Sequence, residues 1–128
     1  MQVDPCKRFR LQPRMRLKRG SDFKRIRLEG QRVATGCLLL NWLGPTSIGH
    51  TRFAVVVSNK LGGAVVRNRA RRLLREAFRL HQHELARPVD IVLVARSSII
   101  GKKCAEVERD LLAALRKAGL LKNDNAEG

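Results

Sequence analysis

Apolar and polar positions recur with different periods along this chain, and the periods predict its elements. Phe23, Ile26 and Leu28 follow Ser21, a good N-cap, and Asp22, which suits the positive end of a helix dipole. A short helix is predicted there, with Gly30 as its C′ residue. Gln31 to Leu43 reads as strand: Val33 and the run Cys37-Leu38-Leu39-Leu40 are apolar, and Gly36 is placed for a bend or bulge. Gly44-Pro45-Thr46-Ser47 is a turn cluster. Thr51 to Ser58 predicts a second strand, whose Phe53-Ala54-Val55-Val56-Val57 is apolar without alternation and therefore expected to be buried on both faces. The paired glycines of Asn59-Lys60-Leu61-Gly62-Gly63 mark a loop able to bring its backbone close to a ligand.

The period changes to 3.6 from Arg67 to about Leu80. On a helical wheel, Ala70, Leu73, Leu74, Ala77, Phe78 and Leu80 share an arc of about 160°. Asn68, Arg69, Arg71, Arg72, Arg75 and Arg79 take the other side, with Arg67 at the boundary. Pro88 stops the helix, and Asp90 to Ala95 is an almost wholly apolar strand, expected to be central. A third helix is predicted from about Ala105 to Ala118, with Val107, Leu111, Ala114, Leu115 and Ala118 on one face and Gly119 as its C′ residue. The order is α-β-(β)-β-α-β-α, an α+β or α/β sandwich of one mixed sheet with helices. Its expected organisation is a basic arm over 1–16, interrupted by Pro5 and Pro13, one domain over 17–121, and a polar tail over 122–128.

Charge changes this picture most. The 128 residues carry 27 Lys and Arg against 11 Asp and Glu, a net charge of +16. Residues 1–79 hold 19 of the bases and 4 of the acids, so nearly all the excess lies there. Such a domain repels itself and calls for a polyanionic partner, nucleic acid first. Aromatics are few (Phe9, Phe23, Trp42, Phe53, Phe78), too few for a sheet that stacks successive bases. Recognition therefore rests on Arg, Lys and backbone groups. No apolar run reaches the ~20 residues of a membrane span, and the two prolines argue against an amphipathic anchor in the arm.

Cys6, Cys37 and Cys104 are odd in number and far apart, which speaks against a disulfide framework and for a reducing cytoplasm. No Cys/His cluster suggests zinc, no metal site is expected in the chain, and His81 and His83 are expected to be solvated.

The helix after residue 67 carries the chemistry. Arg71, Arg75 and Arg79 stand at i, i+4 spacing, which weakens an isolated helix, and Arg is used throughout in place of Lys. A guanidinium fork matches phosphate oxygens bidentately. An anion is also expected at the helix N-terminus, near Arg67, Asn68 and Arg69, with Lys60 beside it. The acids of the basic part, Asp4, Asp22, Glu29 and Glu76, show no paired spacing for Mg²⁺, and His50, His81 and His83 announce no acid–base pair. The residues therefore describe a binder of RNA or DNA that breaks no bonds alone. Composition also admits a structural RNA-binding protein of ribosomal type.

The stretch from Ser58 to Arg79 resembles the signature of the bacterial ribonuclease P protein subunit: an Arg67-Asn68-Arg69 motif, then Arg71-Arg72-Leu73-Leu74-Arg75 and Phe78. Arg16 to Phe23 and Asp90 to Arg96 are similar to the family as well, and the resemblance spans roughly 14–120. It implies an α+β sandwich, α-β-β-β-α-β-α, of the kind seen in the second domain of ribosomal protein S5, with a left-handed β-α-β crossover, a rare handedness. It implies a role in removing the 5′ leader of precursor tRNA, with catalytic Mg²⁺ ions held by a large RNA subunit. Carried over by position, Lys60, Arg67, Asn68, Arg69, Arg71, Arg72 and Arg75 would bind the catalytic RNA, and Phe23, Arg27 and Asn41 would line a cleft for the leader. The implied partners are that RNA and precursor tRNA, with no obligate protein partner and no membrane. Arg27 and Asn41 stand where relatives often have aromatics, and Asn59 and Gly63 where they usually have Lys and Asn. Leader contacts here are thus expected to lean on charge and hydrogen bonding.

Overall fold

A computed structural model describes residues 20–44 and 50–121. The expected basic arm, the polar tail and the Pro45-Thr46-Ser47 part of the turn lie outside those residues. The elements are α1 (Gly20–Glu29), β1 (Gln31–Thr35), β2 (Leu38–Leu43), β3 (Arg52–Val56), α2 (Ala64–His81), β4 (Asp90–Ala95) and α3 (Cys104–Ala118). They build one mixed sheet in the order β1-β2-β4-β3, with β3 parallel to β4 and the other pairs antiparallel. The parallel pair is joined through α2.

Alternation along the strands sorts the side chains onto two faces. Leu38, Leu40 and Trp42 of β2, Phe53 of β3, and Ile91, Leu93 and Ala95 of β4 form the main core with α2 and α3. The opposite face carries α1, whose Ile26 packs on Val92, with Phe23, Leu43, Ala54 and Val94 around them. Helix α2 contributes Ala70, Leu73, Leu74, Ala77 and Phe78, as its wheel predicts. Phe53 and Phe78 stack in the core with centroids 4.5 Å apart. Helix α3 ends at Gly119, in the left-handed conformation at φ 73°.

Four expectations are corrected. The single strand predicted over 31–43 is a hairpin. Thr35 pairs with Leu38 across a two-residue loop, and positive φ is confined to Gly36 (49°), as in a type II′ turn. A Cβ on Gly36 would also strike the Asp110 carboxylate, which accepts the Cys37 N–H at 3.0 Å and docks the hairpin on α3. Burial, then Asp110, pushes the Cys37 thiol up to about 12, so it stays protonated. Second, β3 is an edge strand: Phe53 and Val57 are buried, but Ala54 is half-buried and Val56 exposed. Third, α1 begins at Gly20, before Ser21, and Gly30 has no positive φ. Glycine is required at position 30 because a Cβ would collide with the carbonyl oxygens of Trp42 and Ile26.

Fourth, His81 is not simply solvated. Its Nδ1 meets Glu84 Oε2, and its Nε2 lies 3.0 Å from Glu108 Oε1, which links the end of α2 to α3. Burial pushes its pKa down, but Glu84 and Glu108 outweigh burial and raise it above 6.5. The protonated ring thus stabilises the fold fully below the unfolded value, about 6.5, and this contribution is lost as pH rises through the raised folded value. Thermal melts across that window should show wild-type stability falling relative to His81→Gln. Parallel profiles would rule the linkage out.

Candidate nucleic-acid interface

Helix α2 begins at Ala64, with Gly63 at its N-cap and no side-chain cap bond. Arg67, Asn68 and Arg69 therefore lie inside the helix, beyond the free N–H groups where the sequence places an anion. They act through their side chains. Gly63 has no side chain to cap the helix, which an Asn there could do. Ahead of it, the Ser58 hydroxyl accepts the Lys60 N–H at 3.1 Å and shapes the short Asn59–Leu61 helical turn that presents Lys60, which is exposed.

The polar side of α2 is partly organised by its own bonds. Arg67 Nη1 donates to Asn59 Oδ1 at 2.8 Å, Arg71 Nη1 to Asn68 Oδ1 at 3.0 Å, and Arg69 Nη2 to the Lys102 carbonyl at 2.8 Å. Glu76 binds Arg79, whose guanidinium lowers the Glu76 pKa and relieves one end of the like-charged row. Arg72 and Arg75 are exposed and make no hydrogen bond or ion pair with the described residues. Five donors on each guanidinium are thus open to phosphate oxygens.

A second feature lies on the other face of the sheet. Phe23, Ile26 and Arg27 of α1 close over Asn41 of β2, Val56 of β3, and Val92 and Val94 of β4. They enclose a groove of about 250 Å³. All three residues assigned to the leader cleft therefore meet. Asn41 Oδ1 accepts from Arg32 Nε at 3.2 Å, so a second cation borders the groove. The apolar floor of Val56, Val92 and Val94 is absent from the expected site. Its signal in the sequence is the unbroken apolar run of β4, whose alternate residues point to opposite faces of the sheet, so that both faces need cover.

A charge network stands at one end of the sheet, under α1. Asp90 is 1% exposed. Arg52 clasps it with two bonds, Nε to Oδ1 at 3.0 Å and Nη2 to Oδ2 at 2.8 Å, and Arg25 Nη2 adds a third at 3.3 Å. Asp22 lies 3.6 Å from both guanidinium groups. The network ties α1 to the starts of β3 and β4, and so sets where Phe23 and Arg27 stand. None of its members is among the expected site residues, although an acid opening an apolar strand in so basic a chain is a visible cue.

A guanidinium-rich helix on one side of a mixed sheet and a cation-bordered groove on the other define a small nucleic-acid-binding α+β protein. The family described as Ribonuclease P matches residues 11–119. The chain is 38% identical to the ribonuclease P protein component of Pelotomaculum thermopropionicum over 102 residues, 80% of this chain and 90% of that one. It is 40% identical to that of Gluconacetobacter diazotrophicus over 106 residues, 82% and 91% of the two chains. Its fold is similar to the RNase P protein of Staphylococcus aureus (TM-score 0.76, 30% identity, 84% of this chain and 98% of that one). It is also similar to that of Thermotoga maritima (TM-score 0.72, 27% identity, 80% and 96%). The chain belongs to the ribonuclease P protein family, a subunit of the endoribonuclease that processes the 5′ end of tRNA. A purely structural, ribosomal-type role is not favoured.

No helix of the described residues is long and apolar enough to cross a membrane. Among them, no group of three or more His, Cys, Asp or Glu is arranged to hold a metal ion.

Proposed function

We propose that α2 binds the catalytic RNA of a cytoplasmic ribonucleoprotein through Lys60, Arg67, Asn68, Arg69, Arg71, Arg72 and Arg75, while the α1 groove holds the 5′ leader of precursor tRNA. The observation that carries this division is the meeting of Phe23, Arg27 and Asn41 in one groove, on the face of the sheet opposite α2. One RNA can lie against the helix while a single strand enters the groove. Phe23 offers a ring to a base, and Arg27 and Arg32 offer charge to the backbone.

The cleavage chemistry then belongs to the RNA subunit with its Mg²⁺ ions. Most carboxylates of the described residues are engaged elsewhere, which supports this reading. Asp22 and Asp90 hold Arg25 and Arg52, Glu76 holds Arg79, Glu106 pairs with Lys102, and Asp110 holds the hairpin. The protein supplies binding and orientation, which lower the barrier by positioning the scissile bond.

The groove assignment is tested by binding precursor and mature tRNA to the reconstituted complex. Phe23→Ala should weaken the precursor by roughly tenfold, the worth of one stacked base, and leave mature tRNA unchanged. Equal weakening of both would contradict the assignment. Melting of the variant must be checked, since Phe23 also packs around Ile26.

A further inference from the structure

We propose that a second groove, between the first turns of α2 and the loop after β4, docks one unpaired nucleobase of the RNA that α2 binds. The inference rests on reading α2 as an RNA face and adds to it a contact with a base. Val65 and Val66 form one wall, Ile99 and Ile100 the other, and Arg69 borders the space, which measures about 280 Å³. Val65 is 83% and Ile100 54% exposed, an unusual display of aliphatic surface on so charged a chain.

Three observations select a nucleobase as the occupant. The space lies just below the roughly 300 Å³ where ordinary ligand pockets begin, which suits one ring system better than a folded partner. Its rim carries the Arg69 cation, which donates to the Lys102 carbonyl at 2.8 Å and so pins the loop to the helix; Lys103, next in the chain, is exposed, while the Lys102 ammonium is paired with Glu106. A second copy of this chain, itself +16, would be repelled from such a rim. The groove also continues onto the helix that carries Arg72 and Arg75. Aliphatic walls take the faces of a base. The bond to Lys102 uses one of the five Arg69 donors and leaves others for acceptors on a base edge.

A base contact and a phosphate contact have different signatures. Removing a phosphate contact lowers the salt dependence of binding, and removing an apolar base contact does not. The test is binding of the catalytic RNA to the full chain across a salt series, with dimethyl sulfate probing of the RNA. Val65→Ser/Ile100→Ser should bind roughly tenfold more weakly with an unchanged salt slope. One unpaired base, protected in the wild-type complex, should become reactive. Val65→Ser alone, at the most exposed position, should shift both readings in the same direction and guards against a folding defect in the double variant. Wild-type affinity, an unchanged footprint or a reduced slope would overturn the proposal. If Arg72→Ala/Arg75→Ala lowers the slope while the serine variants behave as wild type, only the base pocket fails. If the wild-type chain does not bind the RNA, the reading of α2 fails with it.

Discussion

Arg72→Ala/Arg75→Ala is expected to weaken binding of the catalytic RNA roughly a hundredfold, and to lower the slope of log affinity against log salt by about 1.5 units. These two side chains are exposed on α2 and make no bond with the described residues. Their removal therefore takes away little from the folded protein. Without its arginine, each phosphate costs the complex about one factor of ten in affinity and keeps about 0.7–0.9 of a counterion. Arg67 and Arg69 are poorer choices for this test, because both also bind protein groups, Asn59 and the Lys102 carbonyl. Salt-series binding with unchanged melting decides the matter. An unaltered slope would move the RNA face off α2.

Asp90→Ala is expected to destabilise the fold by about 2–4 kcal/mol, since removing one partner from a buried ion pair strands the other. The value sits toward the lower part of the usual range because the Arg52 side chain remains about one-fifth exposed and keeps Asp22 nearby. In a domain of this size the melting temperature should fall by roughly 10 °C. The effect extends to function. Arg25 and Arg52 anchor α1 through this carboxylate, so the groove should lose its preference for leader-bearing RNA at temperatures where the variant is still folded. A melt within about 2–3 °C of wild type would show that α1 is held by Ile26 and Val92 without the network.

The sequence is most legible where one face of an element meets core and the other meets water. Helix α2 is such a case: its apolar arc and its arginines fall where the wheel puts them. Legibility fails where an apolar face serves a groove. The run Phe53 to Val57 predicts burial on both sides, yet Val56 is exposed because the α1 face of the sheet is partly open surface. The hairpin is hidden for a related reason. Cys37 to Leu40 is continuously apolar, so the turn at Gly36 interrupts no pattern. The start of α2 is displaced because Ala64-Val65-Val66 looks like loop next to two glycines, although it forms the first turn. Whereas the arginines of α2 are already singled out by the wheel, the groove residues Phe23, Arg27 and Asn41 come from the family resemblance. Their meeting in one groove depends on α1 crossing β2 and β4, which no local period encodes.

The division of labour between protein and RNA is put to its sharpest trial by cleavage of precursor tRNA at near-physiological Mg²⁺, with protein alone, catalytic RNA alone and the two combined. We expect no cleavage by the protein alone, and a rate for the combination well above that of the RNA. Cleavage by the protein without RNA, or a combination no faster than the RNA alone, would contradict that division.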